Sequence, residues 1–107
     1  YDNLCALLGA EHVVKETPGG GGSTDVGDVS YLMPAIQASI GGASGAFHSE
    51  NYRLVDRDLA YITAAKAIVM TVIDLLADDA QTGIAVKEAY KPHFTKEQYL
   101  KEWGGIE

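Results

Sequence analysis

Leu4, Leu7 and Leu8 fall on one helical face, which predicts a short amphipathic helix over Tyr1–Leu8. Gly9 follows as a residue free to take positive φ and stop it. His12-Val13-Val14 reads as a brief strand or an extended connector. Thr17 to Gly22 contains a proline and four consecutive glycines and breaks regular structure. It is either a flexible loop or backbone that must pass close to a ligand or another segment. Ser23, Thr24 and Asp25 can each cap a helix N-terminus, so two turns are expected over Val26–Leu32, weakened by Gly27. After Pro34, the run Ala35-Ile36-Gln37-Ala38-Ser39-Ile40 alternates apolar with small or polar residues. It predicts a strand ended by Gly41-Gly42, followed by a small-residue loop that delivers the chain to His48.

The strongest periodicity comes next. Leu59, Ile62, Val69, Val72, Ile73 and Leu76 recur at helical spacing behind Asp56 as N-cap, with Asp58 in the first turn. Alanines 60, 64, 65 and 67 permit close packing. The helix should run about 20 residues, roughly 30 Å, and end at Asp78-Asp79. Thr82–Tyr90 predicts another helix, stopped before Pro92. Thr95-Lys96-Glu97-Gln98 spells a capping box, opening a last helix that carries Tyr99, Leu100 and Trp103. One strand cannot make a sheet, because both its edges stay open. Either Val13-Val14 and residues 35–40 join a sheet supplied by other polypeptide, or the strand expectation is wrong. The chain opens on Tyr1 in what reads as the middle of a helix, so it is expected to belong to a larger gene product.

The 107 residues suit one small domain, and 47% apolar content allows a core. A formal charge of −7 leaves nothing to neutralise a phosphate backbone, so no nucleic-acid partner is expected. The single cysteine, Cys5, excludes an internal disulfide and a multi-cysteine zinc knuckle. Leu59–Leu76 carries Lys66 and Asp74 and reads as a soluble helix, so no membrane partner is expected; no secretion signal is visible at Tyr1, so a cytoplasmic location is expected.

Three histidines are present. His12 and His93 read as surface or loop residues. His48 follows a glycine- and alanine-rich loop at the end of the expected strand, where ligands collect in open α/β sheets. Asp25 and Asp28 flank Gly27 just after the glycine run and serve equally as solvated turn carboxylates. No Gly-Lys-Ser/Thr follows the glycines, which removes a phosphate loop. No Gly-x-Ser-x-Gly elbow supports a triad of Ser23, His48 and Asp25. Two carboxylates and an imidazole can hold a divalent metal, but here without characteristic ligand spacing.

The run Gly22-Ser23-Thr24-Asp25-Val26-Gly27-Asp28-Val29-Ser30 leads into Pro34, a short strand, Gly41-Gly42 and Ala46-Phe47-His48-Ser49, then the long alanine-rich helix. This resembles the C-terminal part of the zinc-dependent aminoacylase/carboxypeptidase family of amidohydrolases, closest to the aminobenzoyl-glutamate utilization protein B branch. Other branches carry Gly-Ser-Glu-Asp-Phe at this point; here Thr24 replaces the glutamate and Val26 the phenylalanine. The resemblance covers Tyr1 to Leu76 and, more loosely, the tail. It implies an α/β fold in which residues 1–107 form the C-terminal segment of a three-layer zinc-peptidase-like catalytic domain, mostly helical with one or two strands. The N-terminal half and a dimerisation lid lie outside the chain. It further implies that His48 is a metal ligand and that Asp25, with Ser23 and Thr24, lines the active site or orients a ligand. The implied cofactor is a pair of zinc or manganese ions per full-length subunit. The implied partners are the N-terminal half, a small-molecule amide substrate and a second subunit. No catalytic base is expected in this segment, so the isolated chain should be inert. The alternatives from other classes are a non-catalytic helical interaction module, an acidic metal-binding regulatory domain using Asp25 and Asp28, and a split-enzyme subunit.

Overall fold

A computed structural model describes residues 1–15 and 23–104; the glycine run and Gly105 lie outside them. The described residues divide between two units, one drawn from Tyr1–Pro18 and Ala38–Leu75, the other from Gly19–Gln37 and Leu76–Glu107.

In the first unit the leucine spacing yields helix α1 (Asp2–Leu8), ended at Gly9 with φ 87°. A 3₁₀ turn over Ala10–His12 follows, and Val13 is extended. Strands β1 (Ala43–Ser44) and β2 (Arg53–Leu54) pair antiparallel, with Ala43 opposite Leu54 and Ser44 opposite Arg53. The long helix opens as a π-helical turn over Asp58–Thr63 and continues as α3 (Ala64–Ala89). The N-cap position falls on Arg57, one residue after the expected Asp56, but Asp56 still serves the first turn. Its carboxylate accepts the Leu59 N–H at 2.9 Å, and its carbonyl accepts the Ala60 N–H at 3.1 Å. Asn3 ties α1 to α3, donating to Asp74 Oδ2 at 2.8 Å and to Thr71 Oγ1 at 3.3 Å. Beside this contact, Leu7, Ile62, Ala65, Lys66, Val69 and Met70 line an open groove of about 320 Å³.

The long helix breaks where two aspartates were expected to stop it. Ala77 leaves the helical region, and Asp78, Asp79 and Ala80 all sit in the left-handed region at φ 49–59°. Asp tolerates that conformation better than most residues because its short carboxylate bonds locally. Helix resumes afterwards and ends at Ala89. By length and composition alone, Asp58–Ala89 is long and apolar enough to cross a membrane. The span carries Lys66 and Asp74 and is interrupted by the left-handed residues Asp78, Asp79 and Ala80.

The second unit holds α2 (Val26–Ser30), the last turns of α3, and α4 (Lys96–Trp103). Helix α2 is shorter than expected: its end loosens into turns in which Leu32 and Met33 N–H groups bond the Val29 carbonyl at 3.0 Å. An aromatic clasp holds it. The Tyr90 hydroxyl donates to the Ser30 carbonyl, and the Tyr31 carbonyl accepts the His93 N–H at 3.0 Å and the Phe94 N–H at 3.4 Å. The Tyr31 ring meets those of His93 and Phe94 at 5.5 Å each. The capping box forms as spelled: Gln98 N–H donates to Thr95 Oγ1 at 3.2 Å, and Thr95 N–H to Gln98 Oε1 at 2.8 Å. Hydrogen bonds from the Glu97 backbone N–H and the Thr95 side chain hold the Glu97 carboxyl below its usual range.

Neither segment expected as a possible strand is paired among the described residues, and Val13 is extended, as a connector would be. Residues 35–40 form no ladder, and Val13-Val14 pairs with nothing among the described residues. The alternation is real, but no described strand lies alongside, and without a neighbour an extended segment has no ladder. No described side chain is buried. The chain exposes 9072 Å², where a folded 11.4 kDa monomer exposes about 5800 Å².

Candidate functional site

His48 sits in the turn joining β1 to β2, and glycines shape the approach to it. The Gly42 carbonyl accepts the N–H groups of Val55 at 2.8 Å and Asp56 at 3.0 Å. Gly42 has φ 102°, and an added Cβ would stand 2.6 Å from the Asp56 carbonyl oxygen and 2.9 Å from Ala60 N. Only glycine lets the hairpin press so close to the start of the long helix. Within the turn, Ser49 Oγ donates to the Ala46 carbonyl at 2.8 Å, and the rings of Phe47 and Tyr52 lie 5.3 Å apart. His48 itself has φ 60°, a left-handed conformation uncommon outside glycine that costs about 1–2 kcal/mol. It is exposed, and its ring makes no hydrogen bond or ion pair with any described residue. A neutral imidazole displayed this way has a nitrogen lone pair to offer a metal.

The other candidate residues lie in the second unit. The Thr24 hydroxyl accepts the Val26 N–H at 3.0 Å, and the Thr24 carbonyl accepts the Gly27 N–H at 2.8 Å. Thr24 therefore caps α2, while Asp25, although at the N-cap position, makes no side-chain cap bond. The Asp25 carboxylate and the Ser23 hydroxyl are exposed and bond to no described residue. Asp28 bears on Tyr99: hydrogen bonding to its carboxylate, then desolvation, then its charge push the Tyr99 phenol above its usual value of 10.0. That contact gives Asp28 a packing partner, which the sequence reading missed; aromatics after a capping box were the available signal.

His12 and His93 take the surface and packing roles expected of them. His12 lies 3.7 Å from Glu11, and His93 packs edge-on against Tyr31. Tyr90, Phe94 and Tyr99 are used around α2, while Trp103 is exposed.

Among the described residues no three His, Cys, Asp or Glu side chains gather closely enough to hold a metal ion. A catalytic zinc takes about three protein ligands. The donor at His48 suits zinc or manganese as one member of such a set, and the remaining members would have to come from other polypeptide. No family model, curated protein or solved structure matches the chain.

Proposed function

We propose that this chain is the C-terminal portion of a metal-dependent amidohydrolase and that His48 is one of its metal ligands. The observation that carries this reading is an imidazole held out on a left-handed turn with no partner among the described residues, just before the long helix. Backbone strain of this kind persists where surrounding structure over-determines it, commonly at functional positions. The Gly42 contact and the paired strands supply that over-determination.

In the complete enzyme the substrate is an amide joining an acyl or aroyl group to an amino acid, or a dipeptide-like amide. A divalent ion, zinc or manganese, bound there supplies Lewis acidity and an activated water. The role of His48 is to present a neutral ring nitrogen in a fixed direction. Asp25, whose carboxylate is uncommitted, lines the site or orients a neighbouring ligand by hydrogen bonding, with Ser23 beside it. Thr24 acts more indirectly, by fixing the turn that carries Asp25. The general base and the other ligands belong to an N-terminal half, so the isolated chain is inert. The whole enzyme is cytoplasmic and dimeric in this reading.

The test is metal content and amide hydrolysis in the full-length protein. His48→Ala should lower bound zinc or manganese and abolish turnover; unchanged content and rate would remove His48 from the site. A second reading, a helical interaction module, draws on the exposed Ile68 (66%), Leu76 (64%) and Trp103 (69%). The upstream reading frame separates the two. A His-x-Asp motif and a Glu-Glu pair favour the enzyme, and an immediate start codon favours the module.

A further inference from the structure

We propose that the groove between α1 and the long helix binds a medium-chain alkyl carboxylate, with the chain lying in the groove and the acid head at Lys66. The site is separate from His48 and rests on none of the metal chemistry proposed there.

Two helices build the groove. Asn3 of α1 anchors them to each other, donating to Asp74 Oδ2 at 2.8 Å and to Thr71 Oγ1 at 3.3 Å. Beside that anchor, Leu7, Ile62, Ala65, Val69 and Met70 give an apolar lining, and Lys66 completes it, around about 320 Å³. All of these residues belong to one of the two units. Small-molecule sites take this form: roughly 300–1,000 Å³, apolar walls, and a few polar groups that fix orientation. Ile62 and Val69 are 51% and 56% exposed, so apolar wall remains for a ligand to cover. From Ile62 to Met70 the helix advances roughly 12 Å, which is the reach of a medium alkyl chain and longer than a single ring.

Lys66 selects the head group. An apolar groove by itself suits any apolar occupant, and an exposed lysine by itself is ordinary. This lysine, however, is the only charged residue between Leu59 and Ile73. A helical lysine gains a counter-charge from a carboxylate three or four residues away. Here those positions hold Ile62, Thr63, Val69 and Met70, and no described carboxylate lies within ion-pair reach of its ammonium. Asp74, two turns further on, already accepts the Asn3 amide. Lys66 is therefore a cation without a counter-charge among the described residues, in a chain of formal charge −7. Its methylene stem adds to the apolar wall, and its flexible end can meet a head group at the mouth. The complement of this groove is one apolar chain with one negative charge. A carboxylate supplies that. A doubly charged phosphate would leave a charge uncompensated beside an acidic surface, and an uncharged or cationic chain would forgo the ion pair.

The probe is decanoate, titrated below its micelle threshold into the methyl-labelled chain. It should shift the methyl resonances of Leu7, Ile62, Val69 and Met70 with a Kd of about 1 mM or tighter. Octanoate and then hexanoate should each bind about fourfold more weakly than the longer acid before it, and acetate should not bind. Decyltrimethylammonium, the same chain with the opposite charge, should bind about tenfold more weakly than decanoate. Lys66→Gln should weaken decanoate binding about fivefold and Lys66→Arg should retain it, both with an unchanged far-ultraviolet spectrum. The proposal is overturned if decanoate shifts none of these methyls, if chain length has no effect, if the cationic amphiphile binds as tightly, or if Lys66→Gln binds decanoate unchanged. It also falls if sedimentation shows copies of the chain paired through this groove and decanoate does not separate them, because a second copy is then the occupant. It falls equally if the full-length protein does not bind decanoate, because its own polypeptide then fills the groove. None of these results bears on the His48→Ala metal test, and the metal test does not bear on them.

Discussion

A histidine at φ 60° pays a backbone cost that a glycine in its place would avoid. His48→Gly should therefore stabilise the chain by about 0.5–1 kcal/mol, after the greater freedom of glycine in the unfolded chain is offset. Under the proposed amidohydrolase reading the same change should remove metal-dependent hydrolysis in the complete enzyme. Urea unfolding of the two proteins checks the first half and turnover the second; a destabilised glycine variant would show that the turn stores no strain. Gly42 carries the opposite expectation. With φ 102° and an added Cβ at 2.6 Å from the Asp56 carbonyl oxygen, Gly42→Ala should cost about 2 kcal/mol or more, read as a lowered denaturation midpoint. His48 was legible in the sequence as a candidate because small residues lead into it. Its left-handed backbone was not, since φ follows from the closure of the hairpin and not from the histidine.

Among the elements, those whose start and stop signals are local were legible. Thr95→Ala removes the hydroxyl that accepts the Gln98 N–H and should cost about 1 kcal/mol, seen as lost helical Cα shifts over Lys96–Trp103. The break after Leu76 was written in Asp78-Asp79, and the stop of α1 in Gly9. Residues 35–40 were not legible in the same sense, because a strand needs a neighbour and alternation says nothing about where that neighbour is. The clasp around α2 escaped for a related reason: Tyr31, Tyr90 and Tyr99 are far apart in sequence, and no short motif reports their meeting. Its electrostatics give a pH signature. The Tyr99 phenol is raised above 10.0 by Asp28, so the folded unit holds the proton more tightly than the unfolded chain. The contribution is fully present below pH 10 and is lost as pH rises through the higher folded value. Unfolding midpoints should thus fall on the alkaline side, and Tyr99→Phe should shrink that fall; an identical alkaline profile in the variant would refute the Asp28 contact.

At the scale of the whole molecule the surface is the informative quantity. An unfolded chain of 11.4 kDa exposes about 16,500 Å², and a folded monomer of that mass buries roughly 65% of it. With 9072 Å² still exposed, this chain buries less than half. The shortfall sits on recognisable features: Ile62, Ile68, Val69, Ile73 and Leu76 of the long helix are each more than half exposed, and so is Ile36. Apolar content of 47% is enough to build a core, so the composition does not explain the deficit; the apolar faces lack something to pack against. The denaturant m value scales with the surface exposed on unfolding. The isolated chain should therefore unfold in urea with an m value about two-thirds that of an ordinary domain of its size. A transition of full steepness in a monomer would mean that the chain closes a core of its own. A shallow slope would mean that the exposed face of the long helix stays uncovered in the isolated chain, and under the proposed amidohydrolase reading the complete enzyme should recover the steepness as that face becomes covered.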